Sequence, residues 1–259
     1  MSWELFWLYR PASAAADGNG FAVFSAPHIL WLVFLTAAAV LFSAVYRRGD
    51  GRRRDNMRKG MALFLIFYEI LKQCLCPFVG VPAGSYLPLE LCSFAEYTIL
   101  IDALWPKKPF FGQLLAFVFL PSALIALSVP SATRYPPVSF FAIHQFVMHG
   151  GIAAYILARL STGEIRAKYG GLWLSLLSLI ILILPVCALD AACGRNYMFL
   201  TWHENNPALL LVWKLSGGSG GFPYVFGLAA LAAIVMHVMY AVYAVTGVAG
   251  ERLRDRTDT

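Results

Sequence analysis

LWLSLLSLIILILPVCAL, residues Leu172–Leu189, carries no charged side chain over 18 positions. A helix needs about 20 such residues to cross the hydrocarbon core of a bilayer. Comparable runs recur at approximately Pro27–Tyr46, Met61–Phe78, Leu87–Leu104, Phe110–Leu127, Val138–Leu160 and Pro223–Val245. Strands this few and this apolar could not close a barrel, and backbone groups in lipid must be paired within the protein, so each run reads as a helix. The expected fold is all-α: a polytopic membrane protein with about seven transmembrane helices in one bundle, residues 1–259 forming a single domain.

Composition agrees. The chain is 59% hydrophobic and 13% charged, with a mean hydropathy of +0.67; soluble domains carry about 25% charged residues. No internal repeat or low-complexity segment interrupts it. Met1–Arg10 is aromatic and acidic, so no signal peptide is expected.

The basic residues set the orientation. "RRGDGRRRDNMRK" (47–59) holds seven Lys or Arg, Lys107 and Lys108 join the third and fourth runs, Arg159, Arg166 and Lys168 follow the fifth, and Arg252, Arg254 and Arg256 lie in the tail. Together these are 15 of the 20 basic residues, all on one side of a seven-span chain. The positive-inside rule then places the C terminus in the cytoplasm and the N terminus outside. The net charge of +6 is a topogenic and headgroup signal. No basic-aromatic motif points to nucleic acid.

Ionisable groups inside spans are costly and mark sites. Glu69 and Lys72 are spaced to meet on one helix face as an ion pair, fixing packing or shaping a site. Asp102 and Asp190 sit near span ends and read as interfacial caps or snorkelling groups. His237, alone on an apolar run, reads as a packing residue.

The most concentrated group is "YLPLELCSFAEY" (86–97), with Glu90, Cys92 and Glu96. Pro88 suits a first helical turn, which places Glu90 and Cys92 near the positive end of the helix. That end stabilises a thiolate, the nucleophilic form of cysteine. Glu96 follows Cys92 by one turn and shares its face, whereas Glu90 points elsewhere. The bland reading of Cys92 is a buried, inert hydrophobe. The fifth run supplies His144, Gln145 and His149. The two histidines point about 140° apart on an ideal helix, so only one can face a given target, and Gln145 shares the face of His149. A histidine beside a thiol can act as general base and then general acid. Gly150 and Gly151 let a neighbouring helix or lipid chain approach. Cys92, His144 and Glu96 could in principle bind zinc, but no paired-ligand spacing supports a metal, and no cofactor is expected.

Between the sixth and seventh runs, "CGRNYMFLTWHENNP" (193–207) gathers Arg195, Asn196, Tyr197 and His203 above the membrane. An arginine there suits a lipid phosphate; the plain alternative is an interfacial loop with aromatic anchors. "GGSGG" (217–221) reads as a flexible connector. Cys74, Cys76, Cys187 and Cys193 fall toward the outer side, where a disulfide between the two pairs of positions could form.

"LPLELCSFAEY", "HQFVMHGG" and "RNYMFL" followed by a proline and a Leu-rich run together resemble the YwaF-type integral membrane family, related to vertebrate transmembrane protein 164. The resemblance spans about Pro88 to Pro223, over half the chain. It implies a cysteine-dependent acyltransferase that moves a fatty acyl chain onto a lysophospholipid in the bacterial cytoplasmic membrane, with Cys92 as nucleophile. The family's spacing from cysteine to catalytic histidine is met by His149, whereas depth favours His144. Glu96, Glu90, Gln145, Arg195, Asn196 and Tyr197 would then bind substrate. The sequence departs from the family at Glu90, usually a histidine, and after "NYMFL", where "TWHENNP" replaces a basic residue and proline. A lipid hydrolase is a near variant. A transporter built on the intramembrane polar groups and an outer-face thiol–disulfide oxidoreductase are the competing expectations.

Overall fold

The computed structural model describes residues 2–9, 18–82, 84–85, 87–204 and 206–248. Arg10 and the tail arginines Arg252, Arg254 and Arg256, which entered the charge count, lie outside them. The elements are α1 (Trp3–Phe6), α2 (Ala26–Arg48), α3 (Gly51–Leu75), α4 (Leu91–Leu104), α5 (Pro109–Leu114), α6 (Leu120–Ser128), α7 (Phe140–Ser161), α8 (Tyr169–Cys193), α9 (Pro207–Leu215) and α10 (Phe222–Val245). A π-type turn over Leu115–Phe119 joins α5 to α6 without a break. Among the described residues, six helical runs are long and apolar enough to cross a membrane: 26–48, 51–79, 109–134, 140–161, 169–193 and 222–245.

Two segments differ from the sequence expectation. The basic stretch 47–59 is helix except for Gly49 and Asp50. Arg and Lys are good helix formers, and Asp50 caps the new helix by accepting from the Arg53 amide at 2.7 Å. A helix has no reason to stop at the membrane surface. The 25 residues of α3 span about 37 Å, beyond the roughly 30 Å of a hydrocarbon core. The second difference is α4. It has 14 residues, about 21 Å, and is too short to cross alone. Leu87–Glu90 stay outside it, and the Glu90 carbonyl accepts from the Ser93 and Phe94 amides to start the helix. Pro106 favours its stop two residues earlier.

The chain divides into two units, 1–104 with 122–158 and 105–121 with 159–259. In the first, α2 and α7 pack through Trp31 and Phe146, stacked at 5.0 Å. His28 is fully buried: Nδ1 accepts from the Phe24 amide at 2.9 Å and Nε2 donates to the Leu127 carbonyl at 2.8 Å. Those bonds fix both its tautomer and the seat of α2 beside α6. Gly150 and Gly151 make room for neighbouring helices, as a Cβ would sit 2.6 Å from Leu35 of α2 and 2.9 Å from Leu65 of α3, respectively.

In the second unit Gln113 of α5 ties down the 166–168 segment. Its amide donates to the Arg166 carbonyl and its oxygen accepts from the Lys168 amide, both at 2.9 Å. Tyr243 of α10 donates at 2.7 Å to the Ala116 carbonyl, within the π-type turn. Helix α8 ends on Gly194 in the left-handed region, φ 62°. "GGSGG" follows α9, a short helix that the sequence reading folded into a loop, and forms a defined turn with Gly217, Gly218 and Gly221 at positive φ.

Candidate functional site

Helix α4 carries the thiol. Cys92 is its second residue, half-buried and free. Pro88 and Glu90 precede the helix rather than forming its first turn. The sulfur is in the first turn all the same, where unpaired amides favour negative charge. The charged groups acting on it are Glu90, Glu96, Lys72 and Glu69.

Helix α3 packs on α4 and brings a buried polar cluster. Lys72 Nζ lies 2.7 Å from Glu69 Oε1, and the same oxygen accepts from Gln73 Nε2 at 2.7 Å. His144 of α7 approaches the other carboxylate oxygen at 3.4 Å, and its ring lies against Tyr68 with centroids 4.8 Å apart. The expected Glu69–Lys72 pair is thus formed, with His144 as a third member. Its side chains are 6% and 11% exposed. Removing one partner of such a pair strands the other charge. Glu69→Ala is therefore expected to lower unfolding free energy by about 3–5 kcal/mol, and Glu69→Leu with Lys72→Met by less than that single change. Denaturation in detergent measures both; a loss under about 1 kcal/mol for Glu69→Ala would mean that the pair is solvated.

His149 behaves differently. Its Nδ1 lies 2.7 Å from the Gln145 carbonyl of its own helix. A carbonyl only accepts, so Nδ1 holds the proton and Nε2 keeps its lone pair. Nε2 has no hydrogen-bond partner among the described residues. A base needs that tautomer. Gln145 receives a hydrogen bond from Ser131 at 3.1 Å. His237 makes the same contact within its helix, to the Ala233 carbonyl at 2.7 Å, and packs against Tyr169 and Trp173. It is a packing residue, as expected.

Asp102 is fully buried and accepts from Tyr155 of α7 at 2.6 Å. It ties α4 to α7, which corrects the reading of an interfacial snorkelling group. Glu96, one turn beyond Cys92, is 1% exposed, and neither carboxyl oxygen has a hydrogen-bond partner among the described residues.

In the second unit Asp190 is a cap, accepting from the Tyr197 amide at 2.9 Å. Asn196 organises the following loop: Oδ1 accepts from the Thr201 and Trp202 amides and the Thr201 hydroxyl, and Nδ2 donates to the Trp202 carbonyl. Tyr197 is buried and Arg195 half-buried. His203 lies against Trp202, centroids 3.9 Å apart with the rings tilted by 33°, beside Trp213.

All five cysteines are free. Among the described residues no group of three or more His, Cys, Asp or Glu could hold a metal ion. Sequence reading passed over His28, Tyr155 and Tyr68. A polar or aromatic residue at helical spacing from an ionisable one was the available signal, but which helices adjoin is not written in any one segment.

No curated protein and no solved structure matches the chain. A family model does match, over residues 23–241, and its family bears the name of transmembrane protein 164 rather than of the YwaF-type proteins. Six apolar helices and this match make the protein an integral membrane protein. A match over so much of a 259-residue chain settles the relation: the chain belongs to the TMEM164 family.

Proposed function

We propose that the protein is a membrane-embedded acyltransferase that moves a fatty acyl chain between phospholipids through a thioester on Cys92. The observation that carries this reading is a free thiol in the first turn of α4, in the same unit as His149, whose Nδ1 holds its proton against the Gln145 carbonyl and whose Nε2 has no hydrogen-bond partner among the described residues. Family membership supports it.

In the proposed reaction His149 Nε2 takes the Cys92 proton. The sulfur attacks the ester carbonyl carbon of a phospholipid, and the bond to the glycerol oxygen breaks. His149 returns the proton to that oxygen, releasing a lysophospholipid. A second lysophospholipid hydroxyl then attacks the thioester carbonyl carbon, losing its proton to His149; the carbon–sulfur bond breaks and His149 returns the proton to the Cys92 sulfur. Each step conserves protons, so no cofactor or metal is required. Glu90, two residues before Cys92, and Gln145, one turn before His149, are proposed to contact the substrate within this unit. His144, held toward Glu69, supports the site rather than acting as its base. Purified protein in vesicles holding an acyl-labelled phospholipid and an unlabelled lysophospholipid should yield labelled diacyl product. Labelled free fatty acid alone would make it a hydrolase. Intact donor would end the acyl reading.

The proposed topology counts α4, with Leu87–Glu90 before it, as a seventh crossing in the bacterial cytoplasmic membrane, N terminus outside. A reporter after Thr259 should then be cytoplasmic, and one inserted near Asn205 external. Both on one side would remove the seven-span arrangement.

A further inference from the structure

We propose that Glu96 is a neutral carboxylic acid whose O–H donates a hydrogen bond to the carbonyl oxygen of the ester, and then of the thioester, bound at Cys92. The proposal rests on the acyl-transfer reading and gives this carboxyl a defined part in it.

It starts from an orphan. Glu96 is 1% exposed, and both its oxygens are buried without a hydrogen-bond partner among the described residues. Its charged neighbours on α3 are Glu69 and Lys72, and Cys92 lies one turn back on its own helix. Lys72 is already 2.7 Å from Glu69. An ionised carboxylate in that position would be dry, unpaired and beside a second carboxylate. Burying such a charge costs several kcal/mol. The acid form removes the charge and leaves one O–H donor.

That donor then needs an acceptor, because a buried unsatisfied donor itself costs about 1–3 kcal/mol. None of the described residues supplies one, so in the proposal the acceptor comes from the ligand. Side chains one turn apart on a helix have Cβ atoms about 5–6 Å from each other. A carbonyl carbon bonded to Cys92 Sγ would put its oxygen within reach of a carboxyl at that distance. When the sulfur attacks, this oxygen gains negative charge, and a preplaced donor in a dry site stabilises it strongly. The O–H keeps its proton throughout, so the balance of the reaction is unchanged. Neutrality serves a second purpose: an acid beside Cys92 does not repel the thiolate, whereas a carboxylate would. A carboxylic acid kept neutral by an apolar site in order to donate is a known catalytic pattern.

Two measurements on detergent-solubilised protein test this, the first without turnover. Infrared spectra are compared between wild type and Glu96→Gln, both carrying heavy-carbon-labelled glutamate so that lipid carbonyls do not interfere. A protonated-carboxyl band is expected in the wild type and not in the variant, and a phospholipid should shift it. Absence of the band, or a band that phospholipid does not move, overturns the proposal whatever Cys92 does. A band that shifts in a protein that never acylates Cys92 would sink the acyl reading but keep the donor assignment. The second measurement is acyl transfer. Glu96→Gln still donates through its amide and should lose far less kcat than Glu96→Leu. Glu96→Leu should lose about a hundredfold or more in kcat with KM little changed. Its melting temperature should not fall, since an unpaired polar group is replaced by an apolar one. Equal loss in Gln and Leu variants overturns the proposal.

Discussion

If the protein is the proposed acyltransferase, Cys92→Ser should lower acyl transfer by about a thousandfold or more while expression and melting temperature stay close to wild type. The substitution exchanges sulfur for oxygen in a half-buried site, so little packing changes. A serine hydroxyl is a much weaker nucleophile without stronger activation. Cys187→Ser and Cys193→Ser should keep near-normal rates, because both thiols are free and no disulfide holds the loop after α8. Turnover assays beside thermal denaturation measure both quantities. A Cys92→Ser protein with near-normal rates, or one that fails to fold, would return this cysteine to the class of inert core thiols.

His149→Ala should reduce the rate by about a hundredfold to ten-thousandfold, the range for loss of a general base. His144→Ala should cost about tenfold or less. The structural basis is the difference in what each ring already does. His144 faces Glu69 at 3.4 Å and Tyr68 at 4.8 Å, inside a buried polar cluster. His149 has its proton held on Nδ1 by the Gln145 carbonyl, which leaves Nε2 to receive another. His149→Gln, which cannot act as a base, should be as slow as His149→Ala. The readout is the single-turnover acylation rate of Cys92. Equal and mild effects of the two alanine changes would place the base elsewhere.

Much of this was legible in the chain itself. Uncharged runs such as Leu172–Leu189 announce helices in lipid because nothing else pairs the backbone there. The spacing of Glu69 and Lys72 announces their contact because helix geometry alone determines it. Cys92 does lie near a helix start, although Pro88, expected in the first turn, precedes α4. What could not be read was governed by contacts between segments distant in sequence. Asp102 looked interfacial because it lies near the end of its run, yet Tyr155 on α7 makes it a buried tie between helices. His144 and His149 look alike in sequence; which one Glu69 engages depends on how α7 packs on α3. The continuation of α3 through its basic turns was missed for another reason. Charge signals the membrane boundary, whereas the helix ends only where hydrogen bonding and capping end it, here at Asp50.

Whether a covalent acyl enzyme forms at Cys92 is decided by mass spectrometry of the intact protein after brief incubation with a phospholipid. A mass increase of one fatty acyl chain is expected, located on Cys92 by peptide analysis. Hydroxylamine should remove it, lysophospholipid should discharge it, and Cys92→Ser should lack it. An unmodified wild-type protein under conditions where acyl transfer is proceeding, or an adduct on a different residue, would contradict it.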